Sequence, residues 1–269
     1  DGLRGICVLF VFLYHFFPGR FVGGFLGVDI FFVISGFLIS QIFFTQLENS
    51  SFSFFEFYLR RIRRLFPVLI ITCTTCLAYG WFVLFPHEFT LLAKHIKSAT
   101  LFLTNLTLYK EQGYFDVTSE LKPLLHLWSL AIEEQCYFIW PFVLWMVSLT
   151  QKNKILRIFY HKIILGFIVF ATGLSFYGYL YTRFYMLDYS FAFYFMGTRL
   201  WEMSLGSLGA YYVLFVKKIK FPYFISNTAG IVCIAMIILS FLFLKNNIEW
   251  FSFLILLPIV SSFFLLIHS

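Results

Sequence analysis

Apolar residues in this chain fall in long unbroken runs, at about 3–18, 23–45, 65–86, 98–109, 124–149, 163–182, 190–216, 225–244 and 250–268. None alternates apolar with polar as a half-exposed strand would, so the runs predict helices and argue against a barrel. A helix needs about 20 apolar residues to cross the hydrocarbon of a bilayer, and the chain is long enough for roughly eight to ten such spans with their loops. The pattern predicts an all-α, polytopic transmembrane helix bundle of about nine apolar segments.

The run 98–109 is the exception. It is only about a dozen residues long and contains Thr100, Thr104, Asn105 and Thr107, which predicts a non-spanning or re-entrant piece. Charge points the same way. Basic residues bunch in short loops between the apolar runs, as Arg60, Arg61, Arg63 and Arg64, then Lys152, Lys154, Arg157 and Lys162, then Lys217, Lys218 and Lys220. If 98–109 does not span, all three clusters fall on the cytoplasmic side, as the positive-inside rule requires. If it spans, the loop 150–162, with four Lys/Arg and no acid, faces outward. The loop 87–123 carries four Lys/Arg and four acids, as an unselected external loop would.

Composition narrows the class further. The 269 residues are 61% apolar and 12% charged, with 40 Phe, 16 Tyr and 6 Trp and a mean hydropathy of +0.86. Soluble domains run about 45–50% apolar and about 25% charged, so a water-soluble globule is excluded. Disorder, collagen and a disulfide framework fail as well, because the 16 Gly have no period and the five Cys no secreted-domain spacing. A net charge of +7 in a soluble protein would suggest nucleic acid, but the eleven residues of the three basic clusters account for it. Membrane lipid is the expected partner, and nucleic acid is not. No repeat or soluble second domain interrupts residues 1–269, which read as a single membrane domain. Opening at Asp1 and ending in an apolar run, the sequence reads as truncated at both ends.

An ionisable group inside an apolar run is costly enough to be read first as functional. Arg4 and His15 stand in the first run, Asp29 in the second, Glu133 and Glu134 in the fifth, and Arg199 with Glu202 in the seventh. Arg4 and His15 are eleven residues apart, three helical turns, which returns to within about 20° of one face and sets the imidazole about 16 Å beyond the guanidinium. Singly, Arg4 reads as an interfacial anchor and His15 as a satisfied buried histidine; as a pair on one stripe they read as a path. His126 lies seven and eight residues before Glu133 and Glu134, which brings it near their face of a helix. Two adjacent buried acids need a proton or an Arg partner, so this doublet suits acid/base work, or else a salt bridge to Arg199. Arg199 and Glu202, at i and i+3, read as an ion pair.

Arg60, Arg61, Arg63 and Arg64 present bidentate forks suited to phosphate, and they suit anchoring in anionic lipid as well, the reading that composition alone favours. Cys73-x-x-Cys76 has the spacing of a redox or metal pair, but it sits in an apolar run with no second pair, so it reads as small buried hydrophobes, and no metal site is expected. Gly23-Gly24-Phe25-Leu26-Gly27 and Gly206-Ser207-Leu208-Gly209-Ala210 read as close packing through small residues, and neither forms a phosphate loop. The glycosylation sequons at Asn49 and Asn105 carry no weight here.

Several stretches resemble one family. Asp1-Gly2-Leu3-Arg4-Gly5 with His15 resembles the opening Arg-x10-His motif of the acyltransferase 3 membrane family, the integral-membrane O-acyltransferases of surface polysaccharides. The resemblance continues through 23–39, which includes Asp29 and Ser35, and through Phe57-Tyr58-Leu59-Arg60-Arg61-Ile62-Arg63-Arg64-Leu65-Phe66-Pro67. It recurs in 125–137, with His126, Trp128, Glu133 and Glu134, and in Thr198-Arg199-Leu200-Trp201-Glu202. Five ordered matches over about three quarters of the chain are specific where a lone Arg-x10-His is not.

The resemblance implies an acetyl-CoA or other acyl-CoA donor arriving from the cytoplasm, no permanently bound cofactor, and a glycan hydroxyl as acceptor, such as that of lipopolysaccharide O-antigen. It implies that Arg4 and His15 are the essential pair, that Arg61 and Arg64, with Arg60, meet the CoA phosphates, and that Glu133 and Glu134 lie near the reaction. His15 would act as general base or transient acyl carrier, with Glu134 orienting it. Asp29, Ser35, His126, Trp128, Arg199 and Glu202 would line the substrate path. The same resemblance implies a multi-pass protein of the bacterial inner membrane, in many relatives followed by an SGNH-type esterase domain. On physics alone, a transporter or flippase could use the same buried charges, and a lipid-binding scaffold the same basic clusters.

Overall fold

The computed structural model describes residues 2–17, 19–49, 51–111, 122–152, 156–216, 223–244 and 254–268, and its regular structure among those residues is helical throughout. In chain order the helices are α1 (Gly2–Phe16), α2 (Gly27–Glu48), α3 (Phe54–Val83), α4 (Pro86–Thr100), α5 (Thr104–Glu111) and α6 (Leu127–Ser148). Then follow α7 (Leu156–Phe184), α8 (Tyr189–Tyr194), α9 (Met196–Tyr211), α10 (Tyr223–Phe243) and α11 (Leu256–His268). Lys154, Lys217, Lys218 and Lys220 lie outside the described residues. Among the described residues four helices, Gly24–Glu48, Phe54–Val83, Leu127–Ser148 and Ile158–Phe184, are long and apolar enough to cross a membrane, and three more apolar helices are shorter. This is a membrane protein. The other predicted runs are short or broken: α1, at 15 residues, reaches about 22 Å against a hydrocarbon layer of about 30 Å, and the run 190–216 divides at Phe195 into α8 and α9.

The helix start at Phe54 corrects one prediction. Ser53 caps α3 by accepting the Glu56 amide at 3.4 Å, so Arg60, Arg61, Arg63 and Arg64 are helical and not loop residues. Arg, Leu and Ile are adequate helix formers, and hydropathy reports surroundings where a cap and propensity decide the backbone. The run 98–109 is not one helix either. α4 ends at Thr100, the chain turns at Phe102 with φ of +52°, and α5 starts at Thr104.

Contacts divide the chain into two units, the first of residues 1–44, 141–177 and 200–269, the second of 45–140 and 178–199. In the first, α2 is apolar on every side, burying Ile30, Phe32, Val33, Phe37, Ile39, Phe43 and Phe44. Its contact with α9 depends on missing side chains. A Cβ on Gly36 would strike the Met203 backbone, and one on Gly206 the Val33 carbonyl, while the Ser40 hydroxyl donates to Ser207 at 2.6 Å. Ahead of α2 the chain passes equally close to α1: a Cβ on Gly27 would lie 2.8 Å from Val11 Cγ2 and 2.9 Å from the Cys7 carbonyl. Both glycine-rich stretches thus serve close packing, as read from the sequence. Hydroxyls replace water as partners for the buried backbone, with Ser175 accepting the Trp201 amide at 2.8 Å.

In the second unit α4 lies antiparallel to α3, Phe89 and Leu92 meeting Gly80 and Phe102 meeting Phe66. After the turn at Phe102, α5 folds back so that its last residue, Glu111, bonds Lys94 and His95 of α4. Cys73 packs with Leu69, Leu92, Ala99 and Leu124, with Cys76 alongside, and both thiols are free, which leaves them as core residues.

Candidate active site

The chemistry of the second unit gathers where α3 crosses α6. Glu133 and Glu134 lie in the second turn of α6, and the charges of Arg61 and Arg64, from α3, act on the Glu134 carboxylate together with that of Glu133. The Arg61 guanidinium sits over the Tyr137 ring with Cζ 3.9 Å from its centroid, and 5.6 Å from that of Phe57. The Tyr137 hydroxyl donates to Glu133, one turn back. Glu134 Oε1 is buried without a hydrogen-bond partner among the described residues. A buried acceptor left so is costly, and a hydroxyl donor arriving there would satisfy it. Arg60 and Arg64 are exposed, Arg60 being paired with Glu56 at 3.6 Å, while Arg61 is half-buried.

Pro141 explains the company this site keeps. Proline has no N–H, so the Tyr137 carbonyl loses its partner within α6. The Tyr58 hydroxyl, reaching over from α3, donates to the Phe138 carbonyl at 3.0 Å and lies 3.5 Å from that of Tyr137. On the far side of the acids, Gln135 donates to the Phe102 carbonyl at 2.7 Å and to Asn105 Oδ1 at 2.9 Å, while Asn105 donates to the Tyr194 carbonyl at 2.9 Å. The triplet 133–135 therefore offers acids to the arginines and an amide to the turn between α4 and α5.

Other predicted residues are placed as follows. His126 is exposed and lies in the turn before α6, so the helical offset that linked it to the acids stops one residue short of it. Trp128 is buried against Phe193, with ring centroids 4.3 Å apart, and the buried Arg199 rests near both rings with Nε donating to the Phe193 carbonyl at 3.3 Å. In the first unit, Asp29 and Ser35 on α2 and Glu202 on α9 are buried. Arg4 is half-buried and His15 exposed, both on the continuous helix α1, so the eleven-residue spacing keeps them on one stripe. Val11 shares that stripe and packs at Gly27, two residues before Asp29. His15 Nδ1 is 2.8 Å from the Val11 carbonyl, which only accepts, so Nδ1 carries the proton and Nε2 is the basic nitrogen of the neutral ring.

Sequence reasoning gave no site role to Tyr58, Tyr137, Asn105 or Gln135, although each falls in a stretch it singled out. The signals present were the i, i+4 spacing of Glu133 and Tyr137 and a proline four residues beyond that tyrosine.

The family model described as an acyltransferase domain matches residues 1–269. The chain belongs to that acyltransferase family. Its members transfer acyl groups, and this chain is such an enzyme. Over 222 residues the acyltransferase is 35% identical to an uncharacterized protein of Haemophilus influenzae, a match covering 82% of this chain and 88% of that one. It is 38% identical over 169 residues to the peptidoglycan O-acetyltransferase OatA of Listeria monocytogenes, covering 62% of this chain and 26% of OatA. The match thus takes in about a quarter of OatA's length. No solved structure matches the chain.

Proposed function

We propose that this acyltransferase is a multi-pass enzyme of the bacterial inner membrane that moves an acetyl group from cytoplasmic acetyl-CoA to a hydroxyl of a cell-envelope glycan. The observation that carries the reading is the buried, unbonded Oε1 of Glu134 lying under the charges of Arg61 and Arg64. A cationic pair suited to phosphate adjoins an acceptor suited to a hydroxyl, and acyl transfer from a CoA ester to an alcohol needs both. Arg61 and Arg64, helped by Arg60, hold the CoA phosphates. His15, through Nε2, takes the proton of the attacking hydroxyl as its oxygen bonds the thioester carbonyl carbon. The C–S bond then breaks and the thiolate leaves as CoA, recovering that proton from the imidazolium. Arg4 and Glu134 orient the reacting groups, Glu133 supports Glu134, and Asp29, Ser35, His126, Trp128, Arg199 and Glu202 line the path of the substrates.

The name of OatA favours peptidoglycan as the acceptor, ahead of lipopolysaccharide O-antigen. The break between α4 and α5, at Phe102 with its positive φ, supports a non-spanning or re-entrant piece at 98–109. The test is mass spectrometry of envelope glycans from cells making wild type or His15→Ala at equal abundance. Loss of about 42 Da per acetylated sugar in the variant is the expected result, and unchanged acetylation removes His15 from the chemistry.

A further inference from the structure

We propose that Tyr137 is the positioning residue that joins the donor site to the acidic doublet, its ring seating Arg61 and its hydroxyl holding Glu133. The inference rests on the reading that Arg61 and Arg64 take the CoA phosphates. Two independent contacts meet on this one side chain. A guanidinium stacked on an aromatic face spends none of its five N–H donors, which lie in its own plane. With Cζ 3.9 Å from the ring centroid, Arg61 is thus fixed in direction while keeping its phosphate-binding edge. A long Arg side chain free to rotate would lose rotamer entropy on meeting a ligand, and one already seated loses less.

The hydroxyl does the second task. Glu133 and Glu134 are neighbours of like charge, and by donating to Glu133 the Tyr137 hydroxyl directs that carboxylate along its own helix, one turn on. Glu134 is left as the member of the doublet with an unbonded oxygen. Tyr137 is itself buried, and Tyr58 and Pro141 hold the backbone beneath it: the proline opens the carbonyl of Tyr137 and the Tyr58 hydroxyl reaches it. The guanidinium of Arg61 and the carboxylate of Glu133 are therefore both positioned by a single rigid ring.

The two contacts are separable by substitution. Tyr137→Phe keeps the seat and removes the hydroxyl, and Tyr137→Leu removes both. With the full chain in nanodiscs of phosphatidylethanolamine and phosphatidylglycerol and acetyl-CoA as the probe, Tyr137→Phe binds within about twofold of wild type, whereas Tyr137→Leu binds about tenfold more weakly. Combining Tyr137→Leu with Arg61→Ala weakens binding no further than Arg61→Ala alone. In cells, glycan acetylation falls about tenfold or more in Tyr137→Phe despite its intact binding. Binding that is equally poor in Phe and Leu variants, binding unchanged in the Leu variant, or wild-type acetylation by the Phe variant each overturns the inference while leaving the donor reading in place. Wild-type protein that does not bind acetyl-CoA overturns both.

Discussion

A single carboxylate shows how charge is managed in the second unit. Glu111, at the end of α5, accepts from Lys94 at 2.7 Å, from His95 Nε2 at 2.8 Å and from Lys122 at 3.1 Å, tying both arms of the α4–α5 hairpin to the segment that enters α6. Burial by itself would push this acid upward, but the lysines and the histidine outweigh it and hold the carboxyl down at about 2 against an ordinary 4.5. A depressed folded pKa stabilises the fold above the ordinary value, and that contribution is lost as pH falls from about 4.5 toward about 2. Thermal midpoints of the detergent-purified protein should therefore drop between pH 5 and pH 3, and Glu111→Gln should be less stable at pH 6 with a shallower fall below it. Parallel curves for the two proteins would remove Glu111 as an acid-sensitive tie. The cluster was open to sequence only as a balanced external loop, because nothing in composition says that Lys94, His95 and Lys122 converge on one acid.

At the scale of elements, what was legible depended on whether the signal is local. The glycine stretches at 23–27 and 206–210 announced close packing because small residues matter for their own lack of volume, and Gly27 against α1 and Gly206 against α2 bear that out. The spacing of Arg4 and His15 holds because α1 is one continuous helix. Other features have no local mark. The arginines look like a loop by hydropathy but are carried in α3, and the turn at Phe102 adopts a positive φ with no glycine to announce it. Such a backbone conformation costs about 1–2 kcal/mol in a residue with a side chain. Gln135, from a helix more than thirty residues away in sequence, bonds the carbonyl there at 2.7 Å. The pairing of Tyr137 with Arg61 likewise depends on the register between two helices, which one sequence does not encode in any short window. Where the glycine signal is local, its consequence is too: a methyl at 36 would fall on the Met203 backbone. Gly36→Ala should cost about 1–3 kcal/mol through displacement of α9, read as a lower thermal midpoint. An unchanged midpoint would mean that α2 and α9 have room to separate.

Across the whole chain the apolar surface is unevenly shared, and that unevenness gives a test of the membrane reading without any assay of activity. In the most apolar stretch of α3 only 17% of residues are buried and in that of α7 22%, against 67% for the helix 24–48. Val68, Ile71, Tyr79, Trp81 and Phe82 on α3 are exposed, as are Phe170, Leu174 and Tyr177 on α7, whereas Ile30, Phe32 and Val33 on α2 are enclosed. Water does not tolerate apolar faces of this extent, so lipid chains must cover α3 and α7, and α2 must stay out of their reach. A lipid-dissolved photoreactive carbene probe, applied to membranes containing the enzyme and mapped by peptide mass spectrometry, should label α3 and α7 heavily and α2 little. The same separation should survive an alkaline carbonate wash, since no peripheral association is involved. Labelling of α2 as strong as that of α3 would mean that Gly36 and Gly206 do not bring their helices together in the bilayer. The enclosure of Asp29 and Ser35 would then be lost as well.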